Sequence, residues 1–298
     1  MKKKIFIALA IVIGLLFFFV GLQNRTVHLP FSDEGVSYSE MWEKKQYSKI
    51  IDYGNTVLEK NPMDRNTLIF TGYAYFYQGI SILDMDERNS CMEKAVVLLR
   101  KALLTDGKAL LTDGKDNADV MYVLGKSYYH LGYYYCDLAV KYLSEALKKG
   151  CDSKDIYEYL GLAYSKLDMS DHAVENFEKA LEVNPSDVLI LTLAQEYIKA
   201  GNFDKAGYYL DKAGTDNAVL KEKKLLLHGQ RYLGLGEYDK ALESFSKVLD
   251  LNPGSADAYY YTGEVYEAKG DMQKAKAQWR KAYNLNPEHY KSKLKLFK

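Results

Sequence analysis

Five histidines, His28, His130, His172, His228 and His289, are the first residues to consider for acid–base work or metal ligation. A zinc helix needs two imidazoles four residues apart with a glutamate beside the first, and no pair here is that close. His172 and Glu175 supply half of such a motif, which is also what a solvated helix face carries. The segment DGKALLTDGK places lysines after two glycines, as a phosphate loop does. Gly107 and Gly114 are seven apart, however, and Asp116 follows Lys115 where a Ser or Thr would hold magnesium. Gly234-Leu235-Gly236 lacks the third glycine of a dinucleotide fingerprint, and no G-x-S-x-G elbow is present. These spacings point away from an enzyme, a cofactor and a small-molecule substrate.

Three cysteines, Cys91, Cys136 and Cys151, are too few for a disulfide-built scaffold. Cys136 and Cys151 bracket one expected helix, and fifteen residues along it is about 22 Å, far beyond disulfide reach. Three unpaired thiols and a Cys91–Cys136 bridge between adjacent helices both remain open. The 298 residues carry 40 Lys+Arg against 40 Asp+Glu, and this balance argues against nucleic acid, whose phosphates need a basic excess. With 27 Tyr and only 5 Pro, the composition favours long helices packed through aromatic rings.

The amino terminus sets the expected compartment. Lys2, Lys3 and Lys4 precede the charge-free stretch Ile5–Leu22. Eighteen helical residues rise about 27 Å, close to the thickness of a bilayer's hydrocarbon core. A cleaved secretory signal is the rival reading, but its apolar region is shorter and is followed by small residues. Residues 1–24 are therefore expected to be a transmembrane signal anchor. The lysine asymmetry would leave the amino terminus in the cytoplasm and the remainder in the periplasm, or otherwise outside the cytoplasm. A short linker, 25–30, should follow.

A repeat fills the rest. Gly229, Tyr232, Gly236, Ala241, Phe245, Val248 and Pro253 recur 34 residues later as Gly263, Tyr266, Gly270, Ala275, Trp279, Ala282 and Pro287. The same slots hold Gly161, Tyr164, Ala173, Phe177, Ala180 and Pro185, then Ala194, Tyr197, Gly201, Ala206, Leu210 and Ala213. Earlier copies carry Gly125, Tyr128, Gly132, Ala139, Leu143 and Ala146, and Gly72, Tyr75, Ala95, Leu99 and Ala102. The first copy is the least regular, with Tyr38 in the glycine slot. Tyr259, Gly263 and Tyr266 share one face of a helix, and Ala275, Trp279 and Ala282 share a face of the next. Small residues let the two helices approach while Trp279 fills the space beside them. Such hairpins bury their apolar faces only by stacking.

This pattern resembles the tetratricopeptide repeat (TPR) family. The resemblance implies an all-α protein, a right-handed superhelical α-solenoid of about seven TPR-like helix hairpins over 31–289. Repeats would start near 31, 65, 118, 154, 187, 222 and 256, with a basic cap over 290–298. The second repeat carries an insertion, about 79–90 and 103–117, which includes the tandem heptapeptide ALLTDGK. That duplication could extend a helix as a tolerated replication slip or form a contact loop.

In proteins of this family, residues one helical step from the packing slots line a concave groove that takes partner segments. Mapped here, the strip is Ile69, Tyr73 and Phe76; Tyr122, Lys126 and Tyr129; Glu158, Leu162 and Ser165; Leu191, Gln195 and Ile198; Leu226, Gln230 and Leu233; and Tyr260, Glu264 and Glu267. The Lys/Asn clamp of the chaperone-binding members is missing, since Ile69, Tyr73, Tyr122 and Lys126 fill its slots. Aromatic residues at helical spacing also suit a core, and both readings stay open. The resemblance extends to single-span periplasmic repeat proteins and, more loosely, to repeat proteins of spirochaete periplasmic flagellar collars. The function so implied is a non-enzymatic protein–protein interaction scaffold, anchored in the cytoplasmic membrane, assembling an envelope or motility complex. The alternative is a periplasmic chaperone or secretion accessory that binds transient clients.

Overall fold

The computed structural model describes residues 38–105, 115–214 and 217–297. The apolar segment Ile5–Leu22 and most of the tandem heptapeptide lie outside them. Among the described residues there are fifteen α-helices and no strand, and no helix is long and apolar enough to cross a membrane. The chain divides into two compact units, 1–169 and 170–298.

The first unit contains α1 (Tyr38–Glu43), α2 (Tyr47–Lys60), α3 (Arg65–Ser81), α4 (Met85–Thr105), α5 (Lys115–Leu131), α6 (Cys136–Lys148) and α7 (Ile156–Lys166). The second contains α8 (Ser170–Val183), α9 (Asp187–Lys199), α10 (Phe203–Lys212), α11 (Ala218–Gly234), α12 (Tyr238–Leu251), α13 (Ala256–Ala268), α14 (Met272–Leu285) and α15 (Tyr290–Phe297). Within each unit consecutive helices pack on one another, and in the first unit α5 also touches α3 and α7. Part of the insertion lengthens regular structure, because α3 runs on to Ser81 and α4 occupies 85–105. Cys91, Cys136 and Cys151 are all free thiols, so no Cys91–Cys136 bridge forms.

One contact recurs in the hairpins. A Cβ added to Gly72 would meet Leu99 at 2.7 Å, and one added to Gly125 would meet Leu143 at 2.7 Å. At Gly229 it would meet Phe245 at 2.3 Å, and at Gly263 it would meet Trp279 at 2.4 Å. Phe245 and Trp279 are almost wholly buried against these bare backbone patches, with Ala241 and Ala275 beside them at 0% exposure. The first hairpin, which has Tyr38 in place of the glycine, is held differently. Tyr38 stacks on Phe70 of α3 at 4.8 Å with the rings 5° from parallel.

The turns inside the hairpins are equally repetitive. Gly201, Gly236 and Gly270 adopt φ of 74°, 73° and 82°, the left-handed region that ends a helix. The next amide in each case donates back to a tyrosine carbonyl: Asn202 to Tyr197, Glu237 to Tyr232 and Asp271 to Tyr266. Met169 donates to Tyr164 in the same way, but the left-handed residue there is Asp168, at φ 56°. Side chains then start the following helices, with Asn202 and Asp271 accepting from the backbone amides of Lys205 and Lys274.

Two substitutions test this geometry in opposite directions. Gly263→Ala should destabilise the protein by about 1–3 kcal/mol despite alanine's better helix propensity, because Trp279 has nowhere to move. Asp168→Gly should stabilise it by roughly 0.5 kcal/mol, the left-handed cost of a non-glycine residue less glycine's extra entropy. Urea unfolding followed by circular dichroism reads both.

Candidate partner-binding faces

In the first unit, residues of the expected strip are brought together, and most of them are buried. Ile69, Tyr73 and Phe76 on α3 and Tyr122 and Lys126 on α5 are at most 7% exposed, while Tyr129 is half-buried. Lys126 is the centre. Its ammonium lies 5.5 Å from the Phe76 ring, 4.8 Å from Tyr122 and 4.4 Å from Tyr159, so three successive inner helices meet around one cation. It donates to Asp155 Oδ2 at 2.9 Å and to the Tyr122 hydroxyl at 2.9 Å, and that hydroxyl donates to Asp155 Oδ1 at 2.5 Å. Tyr129 packs edge-on to Tyr159 and lies under the Lys166 ammonium at 4.0 Å.

The electrostatics follow from that arrangement. Burial opposes ionisation of Asp155, but Lys126 and the bonds from Tyr122 and Lys126 outweigh it and hold the carboxyl below its ordinary range. Burial, then the neighbouring Asp155, pushes the phenols of Tyr122 and Tyr159 well up. His130 stands beside the cluster, 3.2 Å from the Tyr159 hydroxyl and 6.0 Å from the Phe76 ring. Burial, then Lys126, Lys166 and Arg88, push its imidazole down to about 3. Asp155, Tyr159 and His130 were not on the expected strip. The available signal was a lysine on an apolar helix face with no acid three or four residues away on its own helix, which must find its counter-charge on the next.

In the second unit the expected positions separate into three groups. Leu191 on α9 is buried against Leu227. Tyr260, Glu264 and Glu267 on α13 are occupied by the terminal helix: Lys295 bonds Glu264 at 3.0 Å and also bonds Glu267, and His289 sits 5.4 Å from the Tyr260 ring. Gln195 and Ile198 on α9, with Leu226, Gln230 and Leu233 on α11, are partly accessible.

One arrangement of catalytic appearance did form. His289 Nδ1 is 2.6 Å from Ser292 Oγ, and its Nε2 is 3.2 Å from Asp257 Oδ1. Ser292 is wholly buried, and its backbone amide donates to the same Nδ1 at 3.2 Å. That is a histidine capping the first turn of α15, with no route for a substrate to the serine. No group of three or more metal-ligating side chains occurs among the described residues.

Fold and faces together define an α-helical hairpin-repeat protein. Residues 155–187 and 226–289 each match the tetratricopeptide repeat, so the chain carries tetratricopeptide repeats, units that generally mediate protein–protein interaction and complex assembly. It is 27% identical over 163 residues to BBSome complex member BBS4 of Bos taurus, covering 55% of this chain and 31% of that protein. It is 25% identical over 134 residues to anaphase-promoting complex subunit 3 of Schizosaccharomyces pombe, covering 43% of this chain and 19% of that one. The chain thus spans less than a third of the length of these curated relatives. Among solved structures, the C-terminal part of a TPR repeat-containing protein from Cytophaga hutchinsonii superposes with a TM-score of 0.54 at 14% identity. That match covers 88% of this chain and 98% of the other, and it speaks to the fold alone.

The histidine gives a pH prediction with a definite sign. An imidazole held down in the fold leaves the unfolded chain binding more protons, so stability falls as pH drops from the unfolded value near 6.5 towards 3. Between pH 7.5 and 4.5 the protein should lose on the order of 2 kcal/mol through this group. His130→Gln should flatten the profile in that window. The Asp155 contribution disappears only below its own unfolded value, at lower pH.

Proposed function

We propose that this chain is an interaction scaffold held at the cytoplasmic membrane by Ile5–Leu22, with its repeats outside the cytoplasm, where they hold partners in an envelope or motility assembly. The observation that carries the partner-binding part is the inner strip of α9 and α11. There the side-chain amides of Gln195 and Gln230 make no hydrogen bond among the described residues, and they lie beside partly accessible Ile198, Leu226 and Leu233. An amide with spare donors and an acceptor among aliphatic side chains suits the backbone of an extended segment. The names of two relatives, a BBSome member and a subunit of the anaphase-promoting complex, support a role inside assemblies. The anchoring part rests on the three lysines and the uncharged span that follows.

Photo-crosslinkers at Gln195 and Gln230 in living cells test the first part. A scaffold should yield one or a few partners at near-stoichiometric levels. A broad set of weak adducts would favour the chaperone reading, and adducts no more frequent than at exposed Lys247 on α12 would remove the strip from consideration. For the anchor, intact mass of the membrane fraction should include residues 1–22, and protease added to spheroplasts should digest the repeats. A mass that begins near Gln23 would show cleavage.

A further inference from the structure

Charge is unevenly placed in this chain of zero net charge. Residues 272–298 contain seven lysines and one arginine against the single acid Glu288, so the remainder of the chain is net acidic. Helices α14 (MQKAKAQWRKAYNL) and α15 (YKSKLKLF) contain no acid at all. Part of this charge is engaged within the fold. Lys274 pairs with Asp271 at 2.8 Å, Lys291 donates to the Tyr261 hydroxyl at 3.1 Å, and Lys295 bonds Glu264 at 3.0 Å. Lys281 lies over the Tyr259 ring at 5.4 Å. Lys276, Arg280 and Lys293 are exposed, and their side chains have no hydrogen bond or ion pair among the described residues.

Helical spacing sets these three cations among aromatic rings. Ala275, Trp279 and Ala282 form the buried face of α14. Lys276, Arg280 and Tyr283 repeat that spacing one residue on, about 100° around the helix. Lys276 and Arg280 are four apart, so like charges stand side by side there with no acid between them. On α15, Lys291 and Lys295 turn toward α13, where the bonds above hold them, and Leu296 packs on the core around Trp279. Tyr290, Lys293 and Phe297, at i, i+3 and i+7, form another face, on which the two rings are 69% and 68% exposed. The faces of α14 and α15 meet where the Phe297 ring lies edge-on to Tyr283 at 5.4 Å. The result is one surface of three unpaired cations framed by aromatic side chains.

We propose that this surface of α14 and α15 docks on an anionic lipid bilayer, with Lys276, Arg280 and Lys293 at the headgroup phosphates and Tyr290 and Phe297 set into the interface. The proposal stands on these two helices and is separate from the anchoring by Ile5–Leu22. An anionic leaflet attracts basic side chains within a Debye length, and each Lys or Arg held there adds an increment of binding. Aromatic side chains are favoured at the same depth, where an apolar ring leaves water while the polar groups around it stay wet. The rings are what separate a bilayer from other acidic partners. A nucleic-acid duplex or a polyacidic segment would engage the cations but would offer the exposed Phe297 ring no apolar phase to enter. A bilayer satisfies both.

Tryptophan quenching with the full chain tests this. Phe297→Trp adds an indole at the surface, and the wild-type chain, whose tryptophans are Trp42 and Trp279, supplies the background. The probes are vesicles of phosphatidylcholine alone and of an equal mixture of phosphatidylcholine and phosphatidylglycerol, both with brominated acyl chains. At low salt the added emission should be quenched at least about threefold more in the anionic vesicles, and the difference should shrink as salt rises. Lys276→Gln with Arg280→Gln should remove at least about half of the anionic quenching. Lys179→Gln with Lys247→Gln, the same loss of charge at exposed positions on α8 and α12, should leave it in place. Unchanged circular dichroism confirms that each variant is folded. Equal quenching in the two kinds of vesicle, no quenching in either, or equal loss in both double variants would overturn the proposal. So would an emission change on adding duplex DNA or polyglutamate that anionic vesicles do not produce, which would assign the face to a soluble polyanion. Flotation with the neutral vesicles reports the Ile5–Leu22 span separately. A chain that floats with them but shows no anionic quenching keeps the anchor and loses this surface; one that floats only with anionic vesicles and is quenched there does the reverse.

Discussion

The close approach of two helices at a glycine is the constraint on which the hairpins depend. At Gly229 and Gly263 the first helix presents bare backbone, and the second fills that hollow with Phe245 or Trp279. Burying such a ring contributes several kcal/mol, more than the roughly 1 kcal/mol that glycine costs inside a helix. The trade is favourable only when both residues are present. It also fixes register, because a ring that enters at one glycine has no second hollow to slip into. With the register fixed, residues one step around neighbouring first helices line up in strips within each unit, as Phe76, Lys126 and Tyr159 do in the first.

What those strips carry differs between the units. In the first, Lys126 draws Asp155, Tyr122, Tyr159 and Phe76 around itself and ties α3, α5 and α7 together. Removing one member of such a buried pair leaves the other charge uncompensated, which costs more than the pair itself contributes. In the second unit, α15 closes over Tyr260 and Glu264, while Gln195 and Gln230 keep unsatisfied polar capacity. The polar groups that satisfy one another stiffen the fold; those left over are where recognition is to be sought.

The repeat was legible in the sequence because its determinants are local and recur. Gly, Ala, an aromatic residue and a turn glycine at fixed offsets each have a single physical job, and the spacing exposes them. The tyrosine slot was legible as a position but not in its role, since the turn amides use the backbone carbonyl of Tyr197, Tyr232 and Tyr266. The Lys126–Asp155 pair was not readable, because 29 residues separate the partners and helical period says nothing about which turn of the next helix lies opposite. The stacking of Tyr38 on Phe70, which replaces the glycine contact in the first hairpin, escaped for the same reason. The closure of α15 over α13 also escaped: the lysines after Pro287 suggested a polar end, not an ion pair with Glu264.

A double-mutant cycle on Gly229 and Phe245 tests the central constraint most directly. Gly229→Ala alone should destabilise the protein by about 1–3 kcal/mol through its clash with the ring. In the Phe245→Ala background the same change should cost nothing or stabilise by up to about 1 kcal/mol, since only helix propensity remains. The account predicts this change of sign or near-abolition as strong coupling in urea unfolding. Equal cost for Gly229→Ala in both backgrounds would contradict it, and would mean that the glycine serves something other than the approach of the two helices.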